Sequence, residues 1–563
     1  MKRRWLPRSL DIQAAQTLTA CGIKPLVAKL LANRGVTTPQ EAELFLKPRL
    51  ANLRDPFLLP QMHAACEVIT QALRWKRKIV LFGDYDADGV TSLTLLASFL
   101  KQLNAAICYF IPHRIEHGYG LSMSSVQECF EIHQPELLIA LDCGTTSTAA
   151  ISWLKSRGVE CIVVDHHEPQ TILPEAAAII NPKLDSFGKH DSYCTVGLVF
   201  KLCHALLKYN ARRDIDLRQF LDLVSVGTVS DIVPLRGENR IFAKHGLLQL
   251  QRTKFAGLRA LLETSGIQST PTTSDVGFRI GPRINAAGRI DDAKIALELL
   301  LTNDEMLAKK YANILDCRNR ERQQIEQTVF TEALEDVLSQ WHEDTTHSIL
   351  VARREWHPGV VGIVASRLQK RFWRPTFVIA LGENGLGKGS GRSVDGIHLV
   401  EALQTAAMYL LNFGGHEMAA GVTLREECLD ALRECLNDYS AKRLVGENRL
   451  PVIRYDAEIS PRDLNFDLYN DLQQLEPYGH GNPEPVFFIR QLSPCYEPRL
   501  VGRGHCRLRL ERDGVRLDAI AFGTTPEQLP NPPWDVLGSL TLNDHFDEPR
   551  LEMRILDVRS TSS

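Results

Sequence analysis

Four nearly unbroken apolar runs, KIVLF (78–82), AICYFI (106–111), LLIAL (137–141) and ECIVV (160–164), are separated by segments of helix length. A strand that is apolar at every position is buried on both faces, as in a parallel sheet covered by helices on each side. The spacing therefore predicts an α/β domain over residues 71–300, built on a parallel sheet. Three of the runs end in polar clusters: 83-GDYDADG-89, 142-DCGTTS-147 and 165-DHHE-168. Sites in open α/β sheets form beyond the carboxyl ends of the strands, so these three loops are expected to converge.

Asp84, Asp86 and Asp88 stand at alternate positions where the first strand must turn, and three carboxylates so close repel one another unless a cation neutralises them. Asp231, in 221-LDLVSVGTVSDIVPL-235, sits in apolar surroundings and also needs a partner. Carboxylates with imidazole (His166, His167) and no thiolate suit Mn²⁺ or Mg²⁺ rather than structural zinc. So many ligands exceed the needs of one ion. Two ions about 3.5–4 Å apart would use them and would activate a water for attack on phosphorus, with Asp142 as the candidate bridge. A single Asp at a strand end is usually a helix N-cap or turn residue, and a lone His pair usually lies in a solvated loop. It is the joint arrival of four separate segments at one sheet edge that points to metal.

At 563 residues the chain exceeds one hydrophobic core, and about three to four domains follow. A net charge of −3 gives no global sign of a nucleic-acid partner, so any such partner must be held by local basic patches. The 13 cysteines include no CxxC pair and no zinc spacing, which points to a reducing cytoplasm. The opening MKRRWLPRSLDIQAAQTLTA lacks a continuous apolar core, and no run of about 18 apolar residues occurs, so neither secretion nor membrane spanning is expected.

Residues 1–70 are expected to form a helical extension packed on the parallel-sheet domain. The stretch 277-GFRIGPRINAAGRIDD-292, punctuated by Gly and carrying Arg279, Arg283 and Arg289, reads as a loop suited to phosphate contacts. Between Arg289 and His357 there is neither Gly nor Pro, which predicts a long connecting helix within 301–345, apolar at its ends and solvated at 317-CRNRERQQ-324. Residues 348–381 read strand, helix, strand, the helix opening at Pro358-Gly359, within a smaller α/β domain over 346–448. Past 476-EPYGHGNPEP-485 the pattern changes to short alternating strands. CRLRLE (506–511) and VRLDAIAF (515–522), joined by Asp513-Gly514, form a strong hairpin signal, and a β-barrel of oligonucleotide-binding (OB) type is expected over 449–563. Its arginines Arg499, Arg503, Arg507, Arg509, Arg512 and Arg516 outnumber Glu511 and Asp513 locally, which suits single-stranded nucleic acid.

The quartet DYDADG, LDCGTTS, DHHE and GTVSDIVPL resembles the DHH phosphoesterase superfamily, and GSGRS (389–393) with FGGHEMAAG (413–421) resembles its DHHA1 partner domain. Together with 111-IPHRIEHGYGLS-122, 281-GPRINAAGR-289, 355-EWHPGVVGIVASR-367 and the barrel-like tail, the pattern is similar to the superfamily's single-strand-specific 5′→3′ DNA exonucleases, over residues 20–560. The resemblance implies hydrolysis of single-stranded DNA to 5′-mononucleotides with two divalent cations, in repair and recombination. It also implies a monomer working with single-strand-binding protein and a helicase. It assigns Asp84, Asp86, Asp88, Asp142, His166 and Asp231 to the metals, His167 to the substrate phosphate and Asp165 to holding the histidines from behind. Arg114, Arg283, Asn285 and Arg289 fall along the strand's path, and Ser390, Arg392, Gly414, Gly415 and His416 grip phosphate. Cys143 departs from the Asn usual at that position. It reads as a small buried residue, the alternative being a thiol sensitive to oxidation or soft metals.

Overall fold

A computed structural model describes residues 3–113, 120–184, 192–290, 293–502, 504–543 and 549–561. The chain forms two compact units: Trp5–Asn285 with Ala293–Ala312 and Arg454–Ser563, and a smaller one made of Met1–Arg4, Ala286–Asp292 and Asn313–Ile453.

In the larger unit, five parallel strands, β1 (Ile79–Gly83), β2 (Ile107–Phe110), β3 (Leu137–Leu141), β4 (Glu160–Val164) and β5 (Ala178–Ile180), lie in the order β2-β1-β3-β4-β5. The fifth strand, only three residues long, was not expected from the sequence. The order reverses between β1 and β3, so a crevice opens there beyond the strand ends. Backbone pairing continues one residue past each strand: the N–H groups of Asp84, Asp142 and Asp165 donate to Leu141, Val164 and Ile180. The three acidic loops leave the sheet in register. Helices α1 (Ala87–Gln102), α2 (Thr195–Tyr209) and α3 (Leu221–Ser230) pack on one another around this edge.

Of the Gly-punctuated stretch 277–292, the described residues 277–290 are helical rather than a loop, and 291 and 292 lie outside the described residues. A π-turn at Val276–Ile280 runs into α4 (Gly281–Ile290). Pro282 cannot donate to the carbonyl of Phe278 and crowds it, and the widened turn accommodates the clash, with Gly281 N–H donating to Val276. Gly281 serves packing: a Cβ there would lie 2.5 Å from Ser230 Oγ.

The extension 1–70 divides instead of packing wholly on the sheet domain. Leu18, Leu30, Leu31 and Phe45, from three helices within residues 12–46, share a core with Leu475, Phe487, Ile489 and Trp534 of the tail. The helix Met62–Arg74 packs against α2 and β5, and the turn Pro56–Leu58 also meets α2, so this part of the extension does lie on the sheet domain. An amphipathic stripe demands an apolar partner without specifying which one. In the tail, β11 (Phe487–Pro494), β12 (His505–Arg512), β13 (Val515–Ala521), β14 (Trp534–Asn543) and β15 (Arg550–Ser560) close into a five-stranded barrel in the order β11-β14-β15-β13-β12-β11. Asp513 and Gly514 both take positive φ, 54° and 75°, as a type I′ hairpin turn requires.

Helix α5 (Glu305–Gln340) fulfils the long-helix expectation, but its middle is not fully solvated. Asp316, Asn319 and Arg322 are buried, with Arg322 paired to Glu326 and Asn319 one turn away on either side. In the smaller unit, β6 (Ile349–Arg354), β7 (Thr376–Leu381), β8 (Leu386–Arg392), β9 (Asn412–Gly415) and β10 (Ala419–Arg425) are ordered β9-β10-β8-β7-β6. Helix α6 (Val361–Phe372) begins two residues later than expected, because 358–360 form a turn ahead of it.

Candidate metal centre

Asp84 directly follows β1, and Asp86 caps α1: its Oδ1 accepts from the N–H groups of Asp88 (2.8 Å) and Gly89 (3.0 Å). The ordinary N-cap role and a ligand role are therefore compatible, one carboxylate oxygen serving each. Asp88 is fully buried, and its two oxygens accept from Thr195 N (2.6 Å) and Val196 N (2.8 Å) at the start of α2. Asp142 follows β3 with φ at 63°, in the left-handed region that Asp tolerates better than most residues but still at a cost. That geometry turns its carboxyl to Thr195 Oγ1, which donates to Oδ1 at 2.9 Å. Asp231 caps the carboxyl end of α3, where helix carbonyls disfavour a negative charge.

These segments meet. His166 Nε2 lies 3.4 Å from Asp142 Oδ1, 3.5 Å from Asp231 Oδ2 and 3.9 Å from Asp88 Oδ2. Three groups offer ligand atoms within 4.8 Å of one another: Asp84 with Asp86 and Asp142, Asp142 with His166 and His167, and Asp88 with His166 and Asp231. Asp142 and His166 each belong to two groups, as a pair of adjacent ions would require.

The electrostatics describe a site short of positive charge. Burial, then the neighbouring Asp88, Asp86, Asp84 and Asp231, pushes the Asp142 carboxyl well above its usual range. Burial, with Asp88 and Asp86, takes Asp231 to about 9, and burial with Asp86 takes Asp88 to about 7. Burial and the adjacent His167 drive His166 down to about 3, so its ring is neutral. His166 Nε2 and Asp231 Oδ2 are buried and make no hydrogen bond among the described residues. Two such atoms facing each other at 3.5 Å are costly unless a cation lies between, and the O/N donor set fits Mn²⁺ or Mg²⁺.

Asp165 holds only one of the two histidine rings. Its Oδ1 accepts from His167 Nδ1 (2.7 Å) and from both histidine backbone N–H groups, and its Oδ2 from Thr145 N. Burial opposes ionisation of both partners, but this contact outweighs it: Asp165 is held below the carboxylate range and His167 is raised. Thr195 and Asn181 were not singled out from sequence. Thr195 grips both Asp88 and Asp142, and Asn181 Nδ2 donates to the His167 carbonyl at 2.8 Å. The only sequence signal was CTVG (194–197) opening an apolar helix. Cys143 belongs to the hydrophobic core beneath the site, with Val80, Ala140 and Val163.

Asn285 Oδ1 accepts from Ala87 N at 2.7 Å, tying α4 to the acidic loop, and Arg283 donates to the Arg279 carbonyl. Arg114 lies outside the described residues. In the smaller unit, Arg289 donates to the Gly359 carbonyl. Arg392 Nη1 donates to Ser390 Oγ (2.9 Å), and no carboxylate of the described residues neutralises this guanidinium, which burial pulls below its usual value. A Cβ on Gly362, at the start of α6, would lie 3.0 Å from Ser390 Oγ and 3.1 Å from Arg392 Nη2. Gly414, Gly421 and Ser390 form one row across the sheet, and His416 N donates to the Ala419 carbonyl in the turn after Gly415.

On the barrel, Arg507 lies 3.8 Å from Glu552, Arg509 3.3 Å from Asp518 and Arg516 3.1 Å from Glu511. The basic excess read along the hairpin is thus offset by acids from adjoining strands.

Family models match three parts of the chain: the N-terminal domain of the DHH family at 78–228, the DHHA1 domain at 346–442 and the RecJ OB domain at 455–557. The single-stranded-DNA-specific exonuclease RecJ of Bacillus subtilis is 35% identical over 566 residues, covering 99% of this chain and 71% of that protein. The Dickeya dadantii protein of the same name is 37% identical, covering 90% and 91%. The crystal structure of RecJ from Thermus thermophilus in complex with Mn²⁺ matches with a TM-score of 0.86 at 32% identity, over 100% of this chain and 80% of that one. The same protein in complex with Mg²⁺ gives 0.79 at 30%, over 100% and 79%.

Proposed function

Because the chain belongs to the RecJ family of single-stranded-DNA-specific exonucleases, we propose that it degrades single-stranded DNA from the 5′ end to 5′-mononucleotides, in DNA repair and recombination. The observation that carries the reading is the four-segment cluster at the sheet's reversal point, with His166 Nε2 and Asp231 Oδ2 buried and unsatisfied within it. Asp84, Asp86, Asp88, Asp142, His166 and Asp231 would hold two divalent cations, Mn²⁺ or Mg²⁺. When bound, such ions supply charge neutralisation at the scissile phosphate and a water of lowered pKa.

The chain's own residues do the rest. Asp142, common to two ligand groups, would serve both ion sites, and Thr195 Oγ1 and the left-handed backbone fix its direction. Asp165 keeps a proton on His167 Nδ1 and favours the charged ring, whose Nε2–H would donate to a phosphate oxygen. Ser390 and Arg392, with the glycines Gly414 and Gly415 and with His416, would grip phosphate in the smaller unit, where missing side chains let backbone approach oxygen. Arg283, Asn285 and Arg289 contribute through α4. No helix among the described residues is long and apolar enough to cross a membrane. A cytoplasmic monomer that takes strands opened by a helicase and coated by single-strand-binding protein agrees with this.

The test is digestion of single strands labelled at either end, with Mn²⁺, Mg²⁺ or chelator, and with a duplex control. The 5′ label should leave first as a mononucleotide, and Asp142→Ala should abolish its release. Release from the 3′ end, equal rates on duplex, or an Asp142→Ala rate equal to wild type would overturn the proposal.

A further inference from the structure

Metal ligands and phosphate contacts account for the backbone of a bound strand but leave its bases unassigned. Two exposed apolar side chains sit on the elements that position the metal centre, one directly after Asp231 and one in the π-turn packed against α3. Ile232 directly follows Asp231, holds φ at 59° and is 68% exposed. A β-branched residue is strained in the left-handed region, and here no burial compensates for the strain. Phe278, in the π-turn, is 80% exposed, while Val276 and Ile280 on either side are fully buried.

The π-turn is anchored to the end of α3. A Cβ on Gly277 would lie 4.0 Å from Val229 Cγ1, and one on Gly281 2.5 Å from Ser230 Oγ. Phe278 is therefore carried by backbone packed against the two residues that precede Asp231. Its helix continues through Arg283 to Asn285, which holds the acidic loop at Ala87. Single exposed apolar residues are common and mean little. One that directly follows a metal ligand in a strained conformation, and one on a widened turn whose backbone packs against the two residues before that ligand, are a different observation.

We infer that Ile232 and Phe278 form an apolar ledge on which the leading bases of the single strand rest while its phosphate lies at the metal centre. The inference deepens the nuclease reading and depends on it. Every base offers a π-face, so a ledge of this kind accepts any sequence, and only unpaired bases can stack on it.

The experiment measures kcat and KM on single strands with wild type, Phe278→Ala and Phe278→Trp, each with intact strands and with strands carrying abasic sites at the leading positions. Phe278→Ala should raise KM for intact strands about tenfold to a hundredfold with kcat little changed, and Phe278→Trp should restore it. Abasic leading positions should raise KM for wild type but not further for Phe278→Ala, a loss of additivity that a merely structural role would not produce. An unchanged KM, or a rise of equal size on intact and abasic strands, would overturn the ledge while leaving the nuclease reading intact. Absence of metal-dependent hydrolysis by wild type would overturn that reading, and the ledge with it.

Discussion

Replacing Asp231 by Asn should make the metal-free protein more stable while abolishing its activity. Asp231 stands at the carboxyl end of a helix and beside Asp88 and Asp86, and burial with these charges raises its carboxyl from 3.8 to about 9. An acid raised in the folded state stabilises the fold fully only below its ordinary value, and loses that contribution as pH rises through the folded value. At pH 7 the metal-free fold is just over three pH units above 3.8, at about 1.4 kcal/mol each, which amounts to a cost of up to about 4 kcal/mol. Asn keeps the shape and removes the charge. Urea unfolding in chelator across pH 4–9 should show the variant at or near wild type at pH 4 and increasingly more stable up to pH 9. Mn²⁺ at a hundred times its dissociation constant should stabilise wild type by about 2.7 kcal/mol per ion, and Asp231→Asn by much less. A variant less stable than wild type in chelator at pH 8, or one that keeps the full Mn²⁺ gain, would refute the electrostatic account of the site.

Asp222, buried in the first turn of α3 with Oδ2 accepting from Thr253 Oγ1 at 2.6 Å, is raised by burial to about 6. It should add a step of about 3 kcal/mol in stability, lost as pH rises from 4 through 6. In saturating Mn²⁺, Asp222→Asn should flatten that step, and its persistence would show another group at work. On the barrel, two full phosphate contacts would contribute about 1.4 to the salt slope of single-strand binding. Because Arg507 and Arg509 face Glu552 and Asp518, replacing both should flatten the slope by less than this, and a drop of the full amount would show that the pairs open for the strand.

Much of the centre was legible in the linear chain because it follows from local rules. Apolar runs bounded by acids are strands whose ends lie at one edge of a parallel sheet, so the sequence alone puts Asp84, Asp142 and Asp165 at that edge. The same logic worked for the Asp513-Gly514 turn, where positive φ has few residue solutions. Glycine misled in 277–290, since a glycine that breaks a helix and one that lets a helix approach Ser230 look alike in sequence.

That the chain gathers acids and imidazoles suited to divalent cations was thus written into residue type and spacing, since repulsion between carboxylates is a property of the residues themselves. Polarity and strand preference were implied by the family resemblance. Long-range packing alone decided that α2 would seat Asp88 and Asp142 through Thr195, that Asp165 would hold His167 and not His166, and that residues 12–46 would join the barrel core. It likewise set acids from adjoining strands against the arginines of the tail. Each of these depends on groups far apart in the chain meeting in space, and such a meeting leaves no periodic trace in the sequence around either group.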